Sequence, residues 1–426
     1  MLDLKRIRED TQFVRDRLSR RGKPDALENI DKLLELDAER RTLITQVESA
    51  RARRNEVSPQ VGKLKQAGNH EEAEPIMKEM RELADQMKES EARLADVENG
   101  VRDLLLNIPN IPEASVPAGD ETHNELVREW GAERKADFEL KPHWELGEQL
   151  GILDLARGVK VAGSGFPLFV GLGARLERGL INLMLDTHAR EHGYTELSPP
   201  FMINYQAALG TGHLPKFGED MYHVPEDGFY LVPTAEVPVT NLHSGELLEA
   251  AMLPIKYVAY TPCFRREAGA HGKDTRGLLR VHQFDKVEIL RFERPENGKA
   301  ALEELTGHAE KILQLLGLRY RVVLLAGGDL GFANAQTYDL EVWAPGVGKW
   351  LEVSSCSLYN DYQARRANIR FRPEPNAKPE FVYTLNGSGL ALPRTLSALL
   401  ETYQQSDGSV VLPEAVAKYV GTDRIG

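Results

Sequence analysis

The sequence predicts an α+β protein, in which a long N-terminal helical hairpin precedes a mixed domain of strands and helices. Three observations predict this fold: a heptad pattern over residues 76–108, a proline-rich break after it, and alternating apolar segments typical of strands beyond the break. The chain has 426 residues, which is enough for two or more domains with sizeable cores.

The heptad pattern lies in the second of two predicted helices. Positions 76, 80, 83, 87, 90, 94, 97, 101, 104 and 108 follow each other in steps of four and three, and all except Ser90 are apolar. This is typical of a coiled-coil seam. A first helix is predicted over residues 25–66, with an irregularity at Pro59, and residues 67–70 form a turn between the two. The predicted antiparallel hairpin is on the order of 55–60 Å long.

The proline-rich break covers residues 107–124 and contains three prolines, which end the helix and favour an extended segment. We therefore divide the chain into a helical arm over residues 1–110, a linker over 111–124 and a compact domain over 125–426.

A long loop between two strands is the main candidate for a binding site. Alternating apolar residues predict strands at 255–264 and 278–290, and a glycine-rich, charged loop of about ten residues joins them. Plain hairpins use two to five residues, so a loop of this length suggests a function. Arginines beside the loop suit a polyphosphate, whereas the alternative is a surface hairpin with solvated charges.

Other elements of the predicted domain follow from local signals. The segment 194–203 is a predicted strand whose Pro199 and Pro200 place it at a sheet edge or interface. A strand hairpin is predicted over 338–354, and a strand at 383–385 leads into Asn-Gly-Ser-Gly. A helix then begins near Pro393 with Arg394 in its first turn, where a cation opposes the helix dipole and so indicates a bound anion.

Composition limits the class of protein. The net charge of −12 argues against general coating of nucleic acid but allows a local basic site. Two cysteines, Cys263 and Cys356, fit a reducing compartment and make a zinc site unexpected. With neither a signal peptide nor a membrane span in the sequence, we expect a cytoplasmic protein.

Five arginines within fifteen residues of the first helix, opposed in that stretch only by Glu48, have two interpretations. They are a solvated flank of a coiled coil, or they are a basic strip for a phosphate backbone. They are Arg40, Arg41, Arg51, Arg53 and Arg54.

Several motifs together resemble a known family. Arg265-x-Glu267, a variable loop, Arg280 and Phe284 resemble motif 2 of class II aminoacyl-tRNA synthetases. Residues 193–200 resemble their motif 1, and residues 387–394 their motif 3. Further features extend the resemblance to the seryl-tRNA synthetase family over essentially the whole chain. They are the helical hairpin and the motifs GTGHLPKF at 210–217, TAE at 234–236, EVSS at 352–355 and NGSG at 386–389.

The resemblance implies a class II antiparallel sheet flanked by helices, a homodimer with motif 1 at its interface, and an arm that binds tRNA. It implies activation of L-serine with ATP and Mg²⁺, followed by transfer to tRNA(Ser) and also to tRNA(Sec). Two alternatives are a paralogue that charges a carrier protein, against which the intact arm argues, and a catalytically inactive RNA-binding homologue, against which the complete motifs argue.

The resemblance also assigns single residues. Arg265 bridges the α-phosphate and the serine carboxylate and is catalytic together with Arg394; Glu267 accepts from the adenine amino group, Phe284 stacks on adenine, and Arg280 holds outer phosphates. The residues implied to bind ATP are Arg265, Arg266, Glu267, Arg280, Val281, Phe284, Glu352, Val353, Ser354, Ser355 and Arg394. Those implied to bind L-serine are Thr234, Ala235, Glu236, Arg265, Glu288, Asn386 and Ser388. Those implied to bind Mg²⁺ are Glu352 and Ser355, and those implied to bind tRNA are Arg40, Arg41, Arg51, Arg53, Arg54, Lys273 and Arg276. Alternation on a strand predicts that Arg266 points away from ATP.

Overall fold

The structure is a computed structural model that describes residues 1–268 and 276–426. The predicted tRNA contact at Lys273 lies outside the described residues. The chain forms two compact units. The arm unit contains residues 2–15 and 23–108, and the second unit contains Met1, residues 16–22 and residues 109–426. The family resemblance predicts that this second unit is catalytic, and it is called the catalytic unit below. No helix among the described residues is long and apolar enough to span a membrane.

The bounds of the regular elements are as follows. The α-helices are α1 Leu4–Glu9, α2 Thr11–Ser19, α3 Pro24–Gln66, α4 His70–Asn107, α5 His143–Gln149, α6 Leu155–Ala162, α7 Leu172–Arg190, α8 Tyr205–Thr211, α9 Glu236–Thr240, α10 Gly298–Leu315, α11 Tyr362–Ala367, α12 Leu392–Tyr403 and α13 Glu414–Val420. The strands are β1 Glu125–Trp130, β2 Thr195–Leu197, β3 Met202–Asn204, β4 His223–Val224, β5 Phe229–Leu231, β6 Leu247–Glu249, β7 Ile255–Phe264, β8 Gln283–Glu293, β9 Tyr320–Leu324, β10 Gln336–Ala344, β11 Lys349–Asn360, β12 Arg370–Arg372, β13 Glu380–Phe381, β14 Tyr383–Ala391, β15 Val410–Val411 and β16 Arg424–Ile425.

The arm unit is the predicted helical hairpin. Helix α3 runs through Pro59 without ending there, and α4 packs against it in the antiparallel sense, because Arg51 pairs with Glu91 while Arg93, further along, pairs with Glu39. The heptad positions of α4 are buried or half-buried, and Val97 is only 2% exposed. The predicted seam is therefore confirmed.

The catalytic unit is built on a sheet in which, among the described residues, eight strands pair in the order β1-β9-β10-β11-β14-β8-β7-β2. All neighbours in this part of the structure are antiparallel except β2, which runs parallel to β7. Helices α7, α10 and α12 pack against the sheet, and their Leu180, Leu305 and Leu396 join the main core. The predicted α+β class with a mostly antiparallel sheet is confirmed.

Three strand boundaries differ from the sequence prediction. The segment 194–203 divides into β2 and β3, because the prolines between them supply no N–H group for a ladder; β2 does lie at the sheet edge, as predicted. Strand β8 begins at Gln283 rather than at residue 278. Leu278 and Leu279 lie in a turn before the strand, and their side chains are buried in the main core without pairing in the sheet. The backbone N–H of Leu278 donates to Nε2 of His143 at 2.9 Å.

The third difference concerns β14, which continues through Asn-Gly-Ser-Gly instead of ending before it. Glycine at 387 and 389 is required by close packing. A Cβ at Gly387 would lie 2.6 Å from Cδ2 of Leu305, and one at Gly389 would lie 2.7 Å from Nε2 of His188. The glycines therefore belong to a buried strand, in which they allow close packing.

Candidate active site

A cleft of about 650 Å³ lies within the catalytic unit, where β8, β11 and β14 and the residues that follow β7 meet the start of α12. Most of the site residues suggested by the sequence line it, although they come from segments more than 150 residues apart. These are Thr234, Glu236, Arg265, Glu267, Arg280, Val281, Phe284, Glu288, Glu352, Val353, Ser355, Asn386, Ser388 and Arg394.

Three of the suggested residues are not among those lining the cleft in the described part of the chain. Arg266 is exposed, and its guanidinium lies 5.8 Å from the centre of the Tyr222 ring. Ala235 is buried among apolar residues. Ser354 points to the opposite face of β11, where its Oγ donates to the carbonyl oxygen of Ser388 at 2.7 Å. Strand alternation accounts for the direction of Ser354.

The cleft also contains residues that the motifs did not suggest. Lys286 lies between Phe284 and Glu288 at a spacing of two along β8, so alternation could have identified it. Ser357 follows Ser355 in the same way. Loop residues gave no such signal, because only the fold brings them to the cleft. The additional lining residues are His213, Phe217, Asp220, Met221, Pro233, Leu278, Leu279, Lys286, Gly331, Asn334, Ser357, Tyr359, Ala391 and Pro393.

A β-bulge directs the side chains of β11. Leu340 on β10 pairs with Ser354, but the next residue, Glu341, pairs with Glu352, so that one residue of β11 is extra. A bulge of this kind shifts the alternation by one position. Glu352 therefore reaches the same cleft as Ser355, although their spacing of three would put them on opposite faces of a regular strand.

Three arginines line the first part of the cleft, and two of them pair with the acidic residues Glu267 and Glu352. Nε of Arg265 donates to the carbonyl oxygen of Pro233 at 3.2 Å, and its guanidinium lies 5.2 Å from the centre of the Phe284 ring. Arg280 forms an ion pair with Glu267. Arg394 donates to two backbone carbonyl oxygens, through Nε to Leu279 at 3.1 Å and through Nη1 to Glu352 at 2.9 Å. These contacts hold three guanidinium groups around one space, as an anionic ligand requires.

The other half of the cleft contains two buried carboxylates. Oε1 of Glu288 accepts from Nδ2 of Asn386 at 2.8 Å, and Oε1 of Glu236 accepts from Nε2 of Gln363 at 2.6 Å. Burial raises the pKa of both carboxyl groups, while the positive charge of Lys286 opposes that rise. The cleft therefore joins a cationic region to an anionic pocket.

Comparison with known proteins agrees with this geometry. The family described as "Seryl-tRNA synthetase N-terminal domain" matches residues 1–112, and that described as "tRNA synthetase class II core domain (G, H, P, S and T)" matches residues 222–403. A serine–tRNA ligase of Carboxydothermus hydrogenoformans is 53% identical over 426 residues, covering 100% of this chain and 99% of the relative. The chain belongs to the seryl-tRNA synthetase family.

A second curated relative and a solved structure are also similar to this synthetase over its whole length. A serine–tRNA ligase of Caldicellulosiruptor bescii is 55% identical and covers all of both chains. The solved seryl-tRNA synthetase of Pyrococcus horikoshii complexed with ATP has a TM-score of 0.95 and 37% identity, covering 100% of this chain and 99% of that one. These similarities confirm the expected fold, the class of aminoacyl-tRNA ligase and the serine substrate; they support neither the carrier-protein paralogue nor the inactive homologue.

The arginine strip of the synthetase's arm is less free than its sequence suggests. Arg51 lies 3.1 Å from Glu91, Arg53 lies 2.7 Å from Glu79, and Arg40 and Arg41 both pair with Asp37. The sequence prediction considered only the acidic residue within the fifteen-residue stretch, whereas Glu91 and Glu79 come from the other helix, and Asp37 and Glu56 lie just outside the stretch. Arg54 forms no ion pair within the residues that the structure covers. In the catalytic unit, the guanidinium of Arg276 lies 4.8 Å from the centre of the Trp144 ring.

Proposed function

We propose that this synthetase uses the cleft described above for both steps of serylation. L-serine and ATP form seryl-adenylate and pyrophosphate, and the seryl group then moves to the 3′ end of tRNA(Ser) with release of AMP. The observation that carries the proposal is the charge distribution of the cleft. Three arginines, Arg265, Arg280 and Arg394, line the same cleft as two buried carboxylates, Glu236 and Glu288, and a polyphosphate joined to an amino acid with a free ammonium group needs both kinds of partner.

Positioning and charge stabilisation account for the first step. An oxygen atom of the serine carboxylate attacks the α-phosphorus. The new bond between these two atoms forms as the bond between the α-phosphorus and pyrophosphate breaks. Arg265 lines the cleft, and its charge acts on both Glu236 and Glu288, so we propose that it binds both the serine carboxylate and the α-phosphate. Arg280 and Arg394 would neutralise the outer phosphates. No protein nucleophile is needed, because the reacting groups are held together and the charges are stabilised in place.

The oxygen atoms around the bulge suit a hard cation, so we propose that Glu352 and Ser355 hold Mg²⁺ together with ATP. Behind them, buried Oδ1 of Asp339 has no hydrogen-bond partner in the described part of the chain, and burial followed by the charge of Glu352 raises the pKa of Asp339 well above its ordinary value. Two carboxyl groups that disfavour each other's ionisation in this way, Asp339 and Glu352, would be stabilised in their charged forms by a divalent cation. Mg²⁺ binds one or two carboxylates and completes its shell with phosphate and water oxygens, whose negative charge it neutralises.

The remaining proposals concern partners. The arm would bind the RNA through its basic strip, with tRNA(Sec) as a second substrate, and Lys273 and Arg276 would contact the acceptor end. A homodimer is supported by an exposed apolar patch that follows β2, comprising Phe201, Met202 and Tyr205, which are 40%, 47% and 47% exposed. Charging of tRNA for translation would take place in the cytoplasm.

Pyrophosphate exchange with each of the twenty amino acids tests the proposal. Serine should stimulate the exchange of pyrophosphate into ATP far more than any other amino acid, and serylation of tRNA(Ser) should follow. Exchange with serine but transfer only to a carrier protein would favour the paralogue. No exchange with any amino acid would favour an inactive homologue and overturn the proposal.

A further inference from the structure

Lys286 is the buried cation of the amino-acid pocket. Its Nζ donates to Oγ1 of Thr234 at 2.8 Å and forms an ion pair with Glu288. The side chains of Lys286 and Glu288 are 7% and 1% exposed. Lysine is rarely this buried unless it is paired, and both of its partners are proposed ligands of serine.

The two carboxylates of the pocket differ in their direct partners. Glu288 forms an ion pair with Lys286. The charge of Lys286 also acts on Glu236, but Glu236 accepts from the neutral amide of Gln363 and forms no ion pair with any residue that the structure describes. A buried carboxylate without a counter-ion is costly and gains from an incoming cation. The substrate ammonium is therefore better placed at Glu236, and the pair formed by Lys286 and Glu288 remains available to the substrate side chain.

We infer that Lys286, together with Glu288, recognises the hydroxyl group of the amino acid, an inference that rests on the proposed serine activation. An ammonium carries three N–H donors. Thr234 and Glu288 use two of them within the described residues, so a third is left for a ligand in the cleft that Lys286 lines. The hydroxyl oxygen accepts from Lys286 while its proton is donated to the Glu288 carboxylate.

This arrangement disfavours the binding of alanine, which has the same ammonium and carboxylate groups as serine but no hydroxyl group. With alanine bound, a charged donor and a charged acceptor would lose the group that completes their hydrogen bonds, and buried polar groups without partners are costly. Glu236 and Arg265 would still bind alanine normally. Lys286 would then change the preference between the two amino acids and leave binding of their shared groups unaffected.

The inference can be tested with two stable adenylate mimics, seryl- and alanyl-sulfamoyladenosine, whose dissociation constants are measured by calorimetry on the full chain. In Lys286→Met, affinity for the seryl compound should fall about 10- to 100-fold, while affinity for the alanyl compound changes about threefold or less. Lys286→Arg keeps a charged donor and should retain part of the preference. An equal loss for both compounds, or no loss for either, would overturn the inference.

A matched control is Lys256→Met. Lys256 lies on β7, and its Nζ donates to Oε1 of Glu304 at 2.6 Å outside the cleft residues, so the variant also removes a lysine from a carboxylate of the same unit. Its preference between the two compounds should equal that of the parent. Serine-dependent exchange by the parent is measured separately, so that failure of the proposed function is distinguished from failure of the role of Lys286.

Discussion

Nη1 of Arg280 donates to Oε2 of Glu267, although the family resemblance assigns these two residues to opposite ends of ATP. Glu267 also has a φ of 49°, in the left-handed region that few residues other than glycine occupy. Both side chains line the cleft. If both assignments hold, we expect the nucleotide to separate this ion pair, with the adenine amino group taking the place of Arg280 at Glu267 and a phosphate taking the place of Glu267 at Arg280.

The first prediction follows from that exchange of partners. Glu267→Ala removes the proposed acceptor for the adenine amino group, so KM for ATP in pyrophosphate exchange should rise about tenfold or more, which corresponds to the loss of one charge-assisted hydrogen bond. KM for serine should change little. Arg266→Ala is the control, because the exposed side chain of Arg266 lies over Tyr222. Equal damage by both variants would contradict the assignment of Glu267.

The second prediction concerns the metal ligands at the bulge. Glu352→Gln removes a charge from the proposed Mg²⁺ site, so the Mg²⁺ concentration that gives half-maximal exchange should rise about tenfold or more. The control is Glu341→Gln, which alters the strand partner of Glu352 on β10. An unchanged Mg²⁺ requirement in Glu352→Gln would remove this residue from the metal site.

The third prediction concerns stability and pH. Burial, followed by the charges of His192 and His308, lowers the pKa of His188 from 6.5 to about 3. The unfolded chain therefore binds a proton at this position below about pH 6.5, while the folded chain does not until about pH 3. Stability is full above pH 6.5 and falls as the pH is lowered, by up to about 2 kcal/mol between pH 6.5 and 5.

Urea unfolding at pH 7 and pH 5 measures this loss. His188→Gln cannot take up the proton, so its free energy of unfolding should depend less steeply on pH than that of the parent, even if its stability at pH 7 is lower. His123→Gln changes an exposed histidine and should keep the slope of the parent. A slope in His188→Gln equal to that of the parent would contradict the prediction.

The fourth prediction concerns Arg21, a fully buried guanidinium that donates to the carbonyl oxygens of Asn110, Leu330, Gly331 and Asn334. Two of these residues, Gly331 and Asn334, line the cleft. Arg21→Met leaves four carbonyl groups without their donor and should cost about 3–5 kcal/mol in the free energy of unfolding. Arg20→Met removes two such contacts from a half-buried side chain and should cost clearly less. Similar losses would contradict the central role of Arg21.

The fifth prediction separates the arginines of the arm. Arg54 has no ion pair among the described residues, whereas Arg53 pairs with Glu79 and Glu56. Arg54→Ala should therefore raise KM for tRNA more than Arg53→Ala does, and should lower the slope of log affinity against log salt by about 1 if one phosphate contact is lost. Exchange without tRNA should be unchanged in both. A larger effect of Arg53→Ala would favour a role in which the RNA displaces the glutamates.

Much of the site could be predicted because its residues follow simple periodicities. Alternation along β8 places Phe284, Lys286 and Glu288 together, and the heptad pattern gives the arm. The bulge that turns Glu352 into the cleft could not be predicted, because it depends on the register between two strands. The ion pair between Arg280 and Glu267 was not predicted either, because the resemblance assigns each of these residues to a part of ATP and gives no information on their contacts with each other.

The two glycines of β14 limit how the amino-acid preference of this protein could be redesigned. A Cβ at Gly387 would meet Leu305, and one at Gly389 would meet His188, so neither position accepts a new side chain. Ser388 between them faces the cleft and is 7% exposed. A mutant library for noncanonical amino acids should therefore vary position 388 on this strand and keep both of its neighbours fixed.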